Sequence, residues 1–202
     1  MNGKIVVTIG REFGSGGRLI GKLLAEDLGI NYYDKELLVE TAKESGYAEK
    51  FLEEYDEKTK NLFFSYFLPG EYATDLPLNN KVFLAQFDTM KKLVKDNSAV
   101  FIGRCADYVL KDVPERLSVF VHANQEVRIR QISEQLHLSK KEAKNKLEET
   151  DKHRRDYYEY YTGNRWDDLD NYDLCIDSDK MTIDGAVALI RSCIEIKQKL
   201  GS

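Results

Sequence analysis

The chain has 202 residues, 42% hydrophobic and 32% charged, with 35 acidic residues against 30 basic ones and a net charge of −5. One domain carrying an inserted module is the expectation at this length, with enough chain to bury a real core. The acidic balance argues against a general nucleic-acid or membrane-surface binder, so a polyanion site has to be a local basic pocket. Cys105, Cys175 and Cys193 stand far apart with no C-x-x-C, and His122, His137 and His153 show no ligand spacing. Neither a disulfide framework nor a protein-held metal is therefore expected. With no long apolar run and no leader pattern, the reading is a reducing, cytoplasmic setting without membrane contact.

Ile5 to Ile9 is an apolar, β-branched run that suits a strand buried on both faces. GREFGSGG follows, with glycines at 10, 14, 16 and 17. Leu19, Ile20, Leu23, Leu24 and Leu28 then recur at helical spacing, and Gly29 marks the stop. Strand, glycine loop and helix together form an anion site. Glycines reach positive φ and let phosphate approach the N–H groups, and the helix start adds its positive dipole end. A standard phosphate loop reads G-x-x-x-x-G-K-[ST]. Here Gly17 stands in the lysine place, Leu19 falls where many nucleoside monophosphate kinases carry threonine, and Arg11 and Arg18 are the local cations available instead. A glycine-rich turn that binds nothing is the bland alternative.

Ile30 to Tyr33 reads as a second strand, with Asp34 at its carboxyl end, where open α/β sheets place ligand residues. Asp34 also suits the N-cap of a following helix. Residues 35–96 show no convincing strand and read as a helical insert. It contains the aromatic cluster Phe63, Phe64, Tyr66 and Phe67, and a helix marked by Val82, Phe83, Phe87, Met90 and Val94. That cluster is read as the core of the insert or a homodimer contact, rather than a base-stacking site. Ala99 to Ile102 is a third strand, followed by Gly103-Arg104; Arg104 then points into the crevice at the sheet's carboxyl edge. Leu117 to Val121 is the fourth strand, ending at His122, and Asn124 to Leu138 a helix.

Ser139-Lys140-Lys141-Glu142 is a capping box that opens another helix. Its second half concentrates Lys152, Arg154, Arg155 and Arg165 among aromatics. Residues 150–166 are read as a lid, hinged at Thr162-Gly163-Asn164; snorkelling surface arginines are the alternative. Tyr172 to Asp177 is a fifth strand, and Thr182 caps a last helix. Strands alternating with helices imply a three-layer α/β/α architecture on a five-stranded parallel sheet.

Four segments carry a resemblance to a known family: IGREFGSGGRLIGKLLAEDLGINYYDKELL, FIGRCADYVL, HRRDYY and NYDLCIDSDKMTIDGAVALI. They resemble the cytidylate kinase-like branch of the P-loop nucleoside monophosphate kinases, whose loop reads R-x-F-G-S-G-G-R. The resemblance implies a single kinase domain over 1–202 that moves the γ-phosphoryl group of ATP, with Mg2+, to a nucleoside monophosphate, a pyrimidine such as CMP. It implies that Gly14, Ser15, Gly16, Gly17, Arg18 and Leu19 cradle the donor phosphates. Asp34, Arg104 and Asp173 would bind the acceptor, and Arg18, Arg154 and Arg155 would act on the transferring phosphoryl group. His122 replaces an aspartate of true cytidylate kinases, and Glu159 a third lid arginine. Two other functions compete: a nucleotide-binding regulatory protein without catalysis, supported by Gly17 and Leu19, and a short-chain-dehydrogenase-like oxidoreductase, suggested by G-x-x-x-G-x-G. The last needs Tyr-x-x-x-Lys, which the chain lacks.

Overall fold

The computed structural model describes residues 3–34 and 86–200. Five strands are described: β1 (Val6–Arg11), β2 (Asn31–Tyr33), β3 (Ala99–Ile102), β4 (Arg116–His122) and β5 (Leu174–Asp177). They form one parallel sheet in the order β2-β3-β1-β4-β5. The helices are α1 (Gly17–Leu28), α2 (Ala106–Val109), α3 (Gln125–Leu136), α4 (Lys140–Thr162), α5 (Ser178–Met181) and α6 (Ile183–Leu200), with a helical stretch over 86–93. No described helix is long and apolar enough to cross a membrane.

The pleat of β1 sorts its side chains between two cores. Val7 and Ile9 join Ile20 and Leu24 of α1, Val119 and Val121 of β4, and Ile190 and Ile194 of α6. Val6 faces the other way, with Phe101, Phe120, Met90, Tyr158, Trp166 and Tyr172. The architecture is the three-layer α/β/α sandwich, with α1 and α6 on one face and the 86–93 stretch, α2 and α4 on the other. A smaller cluster of Ile129, Ile132, Ala143 and Leu147 joins α3 to α4.

The capping signals read from sequence act as expected. Ser139 and Glu142 form the reciprocal capping box of α4; Asn124, read from sequence as the first residue of its helix, is instead the cap of α3, accepting from the Glu126 N–H at 2.9 Å. Gly29 and Gly163, both left-handed, close α1 and α4. Three details differ from expectation. β1 runs two residues further, to Arg11, because it is paired on both sides up to Ile9 and with β4 at Gly10 and Arg11. β5 begins only at Leu174, since Asp173 is taken up by Ser118. The short helices α2 and α5 carry no periodic apolar stripe long enough to be read from sequence. Of the expected 35–96 insert, all but the end from residue 86 lies outside the described residues, including its aromatic cluster.

Candidate active site

β1 and β3 are hydrogen-bonded neighbours, Ile9 opposite Ile102, and both turn away at their carboxyl ends. The Gly103 N–H donates to the Ile9 carbonyl at 3.0 Å, so the loops after β1 and β3 open onto one crevice. That is the edge where open α/β sheets place ligands.

Residues 12–16 form the turn between β1 and α1. Gly14 and Gly16 both sit at φ 78°. A Cβ on Gly14 would lie 2.9 Å from the Arg128 carbonyl oxygen, and one on Gly16 2.6 Å from Ile183 Cδ1. Only glycine meets both the backbone and the space requirement. Within the loop the Ser15 N–H and hydroxyl both turn back to the Glu12 carbonyl, at 3.4 and 2.9 Å. The N–H groups of Gly14, Gly16, Gly17 and Leu19 have no acceptor among the described residues. They are orphan donors at a helix start, the arrangement that accepts an anion.

The loop is held from beneath by a buried ionic network absent from the sequence reading. Arg128 on α3 donates to the Asp151 carboxylate at 2.6 Å, to the Phe13 carbonyl at 3.3 Å and to the Ala123 carbonyl at 3.1 Å. Asp151 in turn accepts from the Phe13 N–H at 2.7 Å, and Glu12 accepts from the Ala123 N–H at 3.2 Å. Burial pushes the Glu12 carboxyl up, opposed by the Arg128 guanidinium. Ser178 adds a further tie, donating to the Ser15 and His122 carbonyls at 2.7 and 3.1 Å. Phe13, Glu12 and Asp151 are separated in sequence by as many as 139 positions (12 to 151), so no local pattern announces them. The one available signal was an arginine at a position where α3 faces the core.

Arg104 follows Gly103 and precedes Cys105, and all three are left-handed, at φ 68°, 58° and 55°. For a non-glycine residue this conformation costs on the order of 1–2 kcal/mol. Strain of this kind clusters at functional sites. It aims Arg104 to within 5.3 Å of the Tyr157 ring. Arg154 on α4 donates to the Arg11 carbonyl at 2.9 Å and lies 5.5 Å over the Phe13 ring. Arg11 is half-buried. Its guanidinium is held well below the ordinary arginine range, first by desolvation and then by Arg154 and Arg104, with Arg18 a smaller influence. Arg11, Arg104, Arg154 and Arg18 therefore share one crevice.

The other candidates fall in different places. Arg18 donates Nε and Nη2 to the same Asp34 oxygen, at 3.1 and 2.6 Å, so these two candidate residues are partners of each other. Tyr32 adds its hydroxyl to that oxygen at 3.4 Å. Arg155 lies 6.0 Å over the ring of Trp166, which is buried in the core against Phe120, and not at the loop. Asp173 sits at the amino end of β5, where its carboxylate accepts from the Ser118 N–H at 2.8 Å; the structure does not bring it to the crevice. The 150–166 segment is tied to the body at Asp151, at Tyr158, which donates to Asp107 at 2.6 Å, and at Trp166, buried edge-on against Phe120.

Leu19, 49% exposed, offers no hydroxyl for magnesium. No group of three His, Cys, Asp or Glu side chains converges among the described residues. Cys105 is buried beside Asp107, and both effects push its thiol up, so it stays an un-ionised thiol.

Residues 6–180 match the model of the Cytidylate kinase-like family. The chain is 29% identical over 201 residues to the cytidylate kinase of Methanococcus aeolicus, which covers 96% of this chain and 100% of that protein. It is 26% identical over 200 residues to the cytidylate kinase of Pyrococcus horikoshii, covering 98% and 92%. A crystal structure of an uncharacterized protein from Eubacterium ventriosum is 30% identical, with a TM-score of 0.75 over 95% of this chain and 99% of that one. Shikimate kinase from Bacteroides thetaiotaomicron, at 12% identity and a TM-score of 0.53 over 95% and 98%, shares the fold alone. A P-loop-kinase sandwich whose glycine loop lacks the usual lysine, matched along most of its length, places this chain in the cytidylate kinase-like family.

Proposed function

We propose that the protein transfers the γ-phosphoryl group of ATP to a nucleoside monophosphate, a pyrimidine such as CMP. The observation that carries this reading is the convergence of arginines from the end of β1, the end of β3 and α4 on a glycine loop with unpartnered N–H groups. Phosphoryl transfer requires alignment and charge neutralisation more than covalent help. The loop N–H groups would hold the donor phosphates, and Arg104 the acceptor phosphate. An oxygen of that phosphate attacks the γ-phosphorus, the bond to the β-phosphate oxygen breaks, and ADP leaves with the electron pair. Arg154, already seated over the loop, would stabilise the charge spread over the transferring oxygens. Magnesium would arrive on the ATP phosphates, where it neutralises charge. Asp34 would tune the site by holding Arg18. Arg155 and Asp173 keep only an indirect part in this arrangement, through Trp166 and Ser118.

Thermal unfolding with and without ATP tests the donor site. ATP should raise the melting temperature of the wild type and leave that of folded Gly16→Val unchanged. Equal protection of both would place the donor elsewhere. The exposed Leu19 in the hydroxyl position favours one alternative, a regulatory protein that binds nucleotides without transfer.

A further inference from the structure

We infer that Arg11 is the phosphate-binding cation of this site, in place of the lysine that a standard loop carries at position 17. The inference rests on the phosphate-binding reading of the loop and assigns the residue that neutralises the bound charge.

Gly17 has ordinary helical geometry, so its backbone does not call for glycine. Space does. A Cβ at position 17 would stand 2.6 Å from Arg11 Cβ and 3.1 Å from its Cγ, with Val121 Cβ at 3.3 Å on another side. The stem of Arg11 fills the volume that any side chain at position 17 would enter. A lysine at 17 and an arginine at 11 are therefore mutually exclusive in this fold.

The other end of the same side chain is equally committed. A Cβ on Gly103 would overlap Arg11 Nη1. The guanidinium thus lies against a glycine that leaves it room, and the side chain runs from the start of α1 to the end of β3. Arg154 and Arg104, and less strongly Arg18, act on it as like charges, with the Tyr32 phenol the favourable neighbour. No carboxylate pairs with it among the described residues, and no described hydrogen bond occupies its five donors. Arg18 is the competing candidate, but both of its bonding nitrogens engage Asp34 and its side chain is 68% exposed. A guanidinium drawn out of water toward like charges, with no carboxylate partner among the described residues, is a strained arrangement unless an anion of matching geometry completes it. Phosphate oxygens seated on the Gly14, Gly16 and Gly17 N–H groups would lie beside it.

Titration calorimetry with ATP and, separately, with inorganic tripolyphosphate tests this directly, using wild type, Arg11→Met, Arg11→Gly/Gly17→Lys and Arg191→Met. The last removes a surface charge paired with Asp27 and serves as control. Loss of one charged hydrogen-bonding group should weaken both ligands by about tenfold to a hundredfold in Arg11→Met. The control should bind as wild type does. The double variant should regain at least part of the affinity, since removing the whole Arg11 side chain, Cβ included, makes room for the lysine. Arg11→Met should also melt higher than wild type without ligand, because the unpaired charge is gone. Undiminished binding by Arg11→Met, with wild type binding normally, overturns the assignment alone. Wild type that binds neither ATP nor tripolyphosphate overturns the phosphate-site reading and the assignment with it.

Discussion

Arg104 joins backbone strain to the crevice of the proposed site, which makes its replacement informative in two ways. Arg104→Ala should weaken monophosphate binding by about 1.5–3 kcal/mol, the scale of a charged hydrogen bond, with ATP binding nearly unchanged. Arg104→Gly should lose the same affinity yet melt higher than the alanine variant, because glycine adopts φ 58° without the left-handed penalty. Equal losses for both ligands would move Arg104 away from the acceptor. Asp107 offers a test by pH. Burial pushes its carboxyl up against the opposing hydroxyl bond from Tyr158. A carboxyl raised in the folded state contributes stability that is fully present below its unfolded value, about 3.9, and is lost as pH rises through the folded value. Asp107→Asn should therefore lose more stability relative to wild type at pH 4 than at pH 8. A difference of the opposite sign would mean that Asp107 folds as a stabilised carboxylate. At this scale the sequence showed the residue types but not their pairings. Gly14 and Gly16 were legible because glycine at a β–α turn has few other reasons to be there. That Arg18 would close on Asp34, or Arg155 on Trp166, depends on side-chain directions that spacing does not encode.

Among elements, α4 links the most. It begins with a capping box, contributes Asp151 beneath the glycine loop and Arg154 above it, buries Tyr158 and ends at a left-handed Gly163. Asp151→Ala would leave Arg128 buried with only the Glu12 carboxylate, 3.3 Å away, and release the Phe13 N–H. A buried charge stripped of its partners costs about 3–5 kcal/mol; with Glu12 retained the loss should be about 1–3 kcal/mol, to be read from chemical denaturation, and it should weaken ATP binding as the loop loosens. A loss below about 1 kcal/mol would mean that the network is dispensable. The same anchors bear on the proposed lid. Ties at Asp151, Tyr158 and Trp166 predict slow hydrogen exchange over 143–158 before any ligand binds, with ligand-dependent slowing concentrated around Gly163. Fast exchange across all of 150–166 in the free protein, slowed by ATP with an acceptor, would instead describe a lid that moves as a whole. The existence and order of these elements were legible from periodicity and caps. The anchors were not, because each joins residues far apart in sequence that look like ordinary surface charge.

The whole molecule is an acidic chain that gathers Arg11, Arg18, Arg104 and Arg154 at one edge of a parallel sheet. Strand alternation and the glycine loop made that sheet legible before any coordinates. The site depended on what the sheet order brings together: β1 beside β3, and so Arg11 beside Gly103 and Arg104. An arginine-lined site in a protein of net charge −5 should lose affinity for ATP steeply as salt rises, unlike binding that rests on apolar contact. The central claim is that this edge moves phosphate rather than merely holding it. The most direct measurement incubates the protein with γ-labelled ATP, magnesium and each nucleoside monophosphate in turn, and follows label into the diphosphate. The account predicts label in the diphosphate of one or more monophosphates, a pyrimidine first, and its loss in Arg154→Ala through turnover more than through the Michaelis constant for ATP. ATP bound tightly, with no label transferred to any monophosphate, would contradict it.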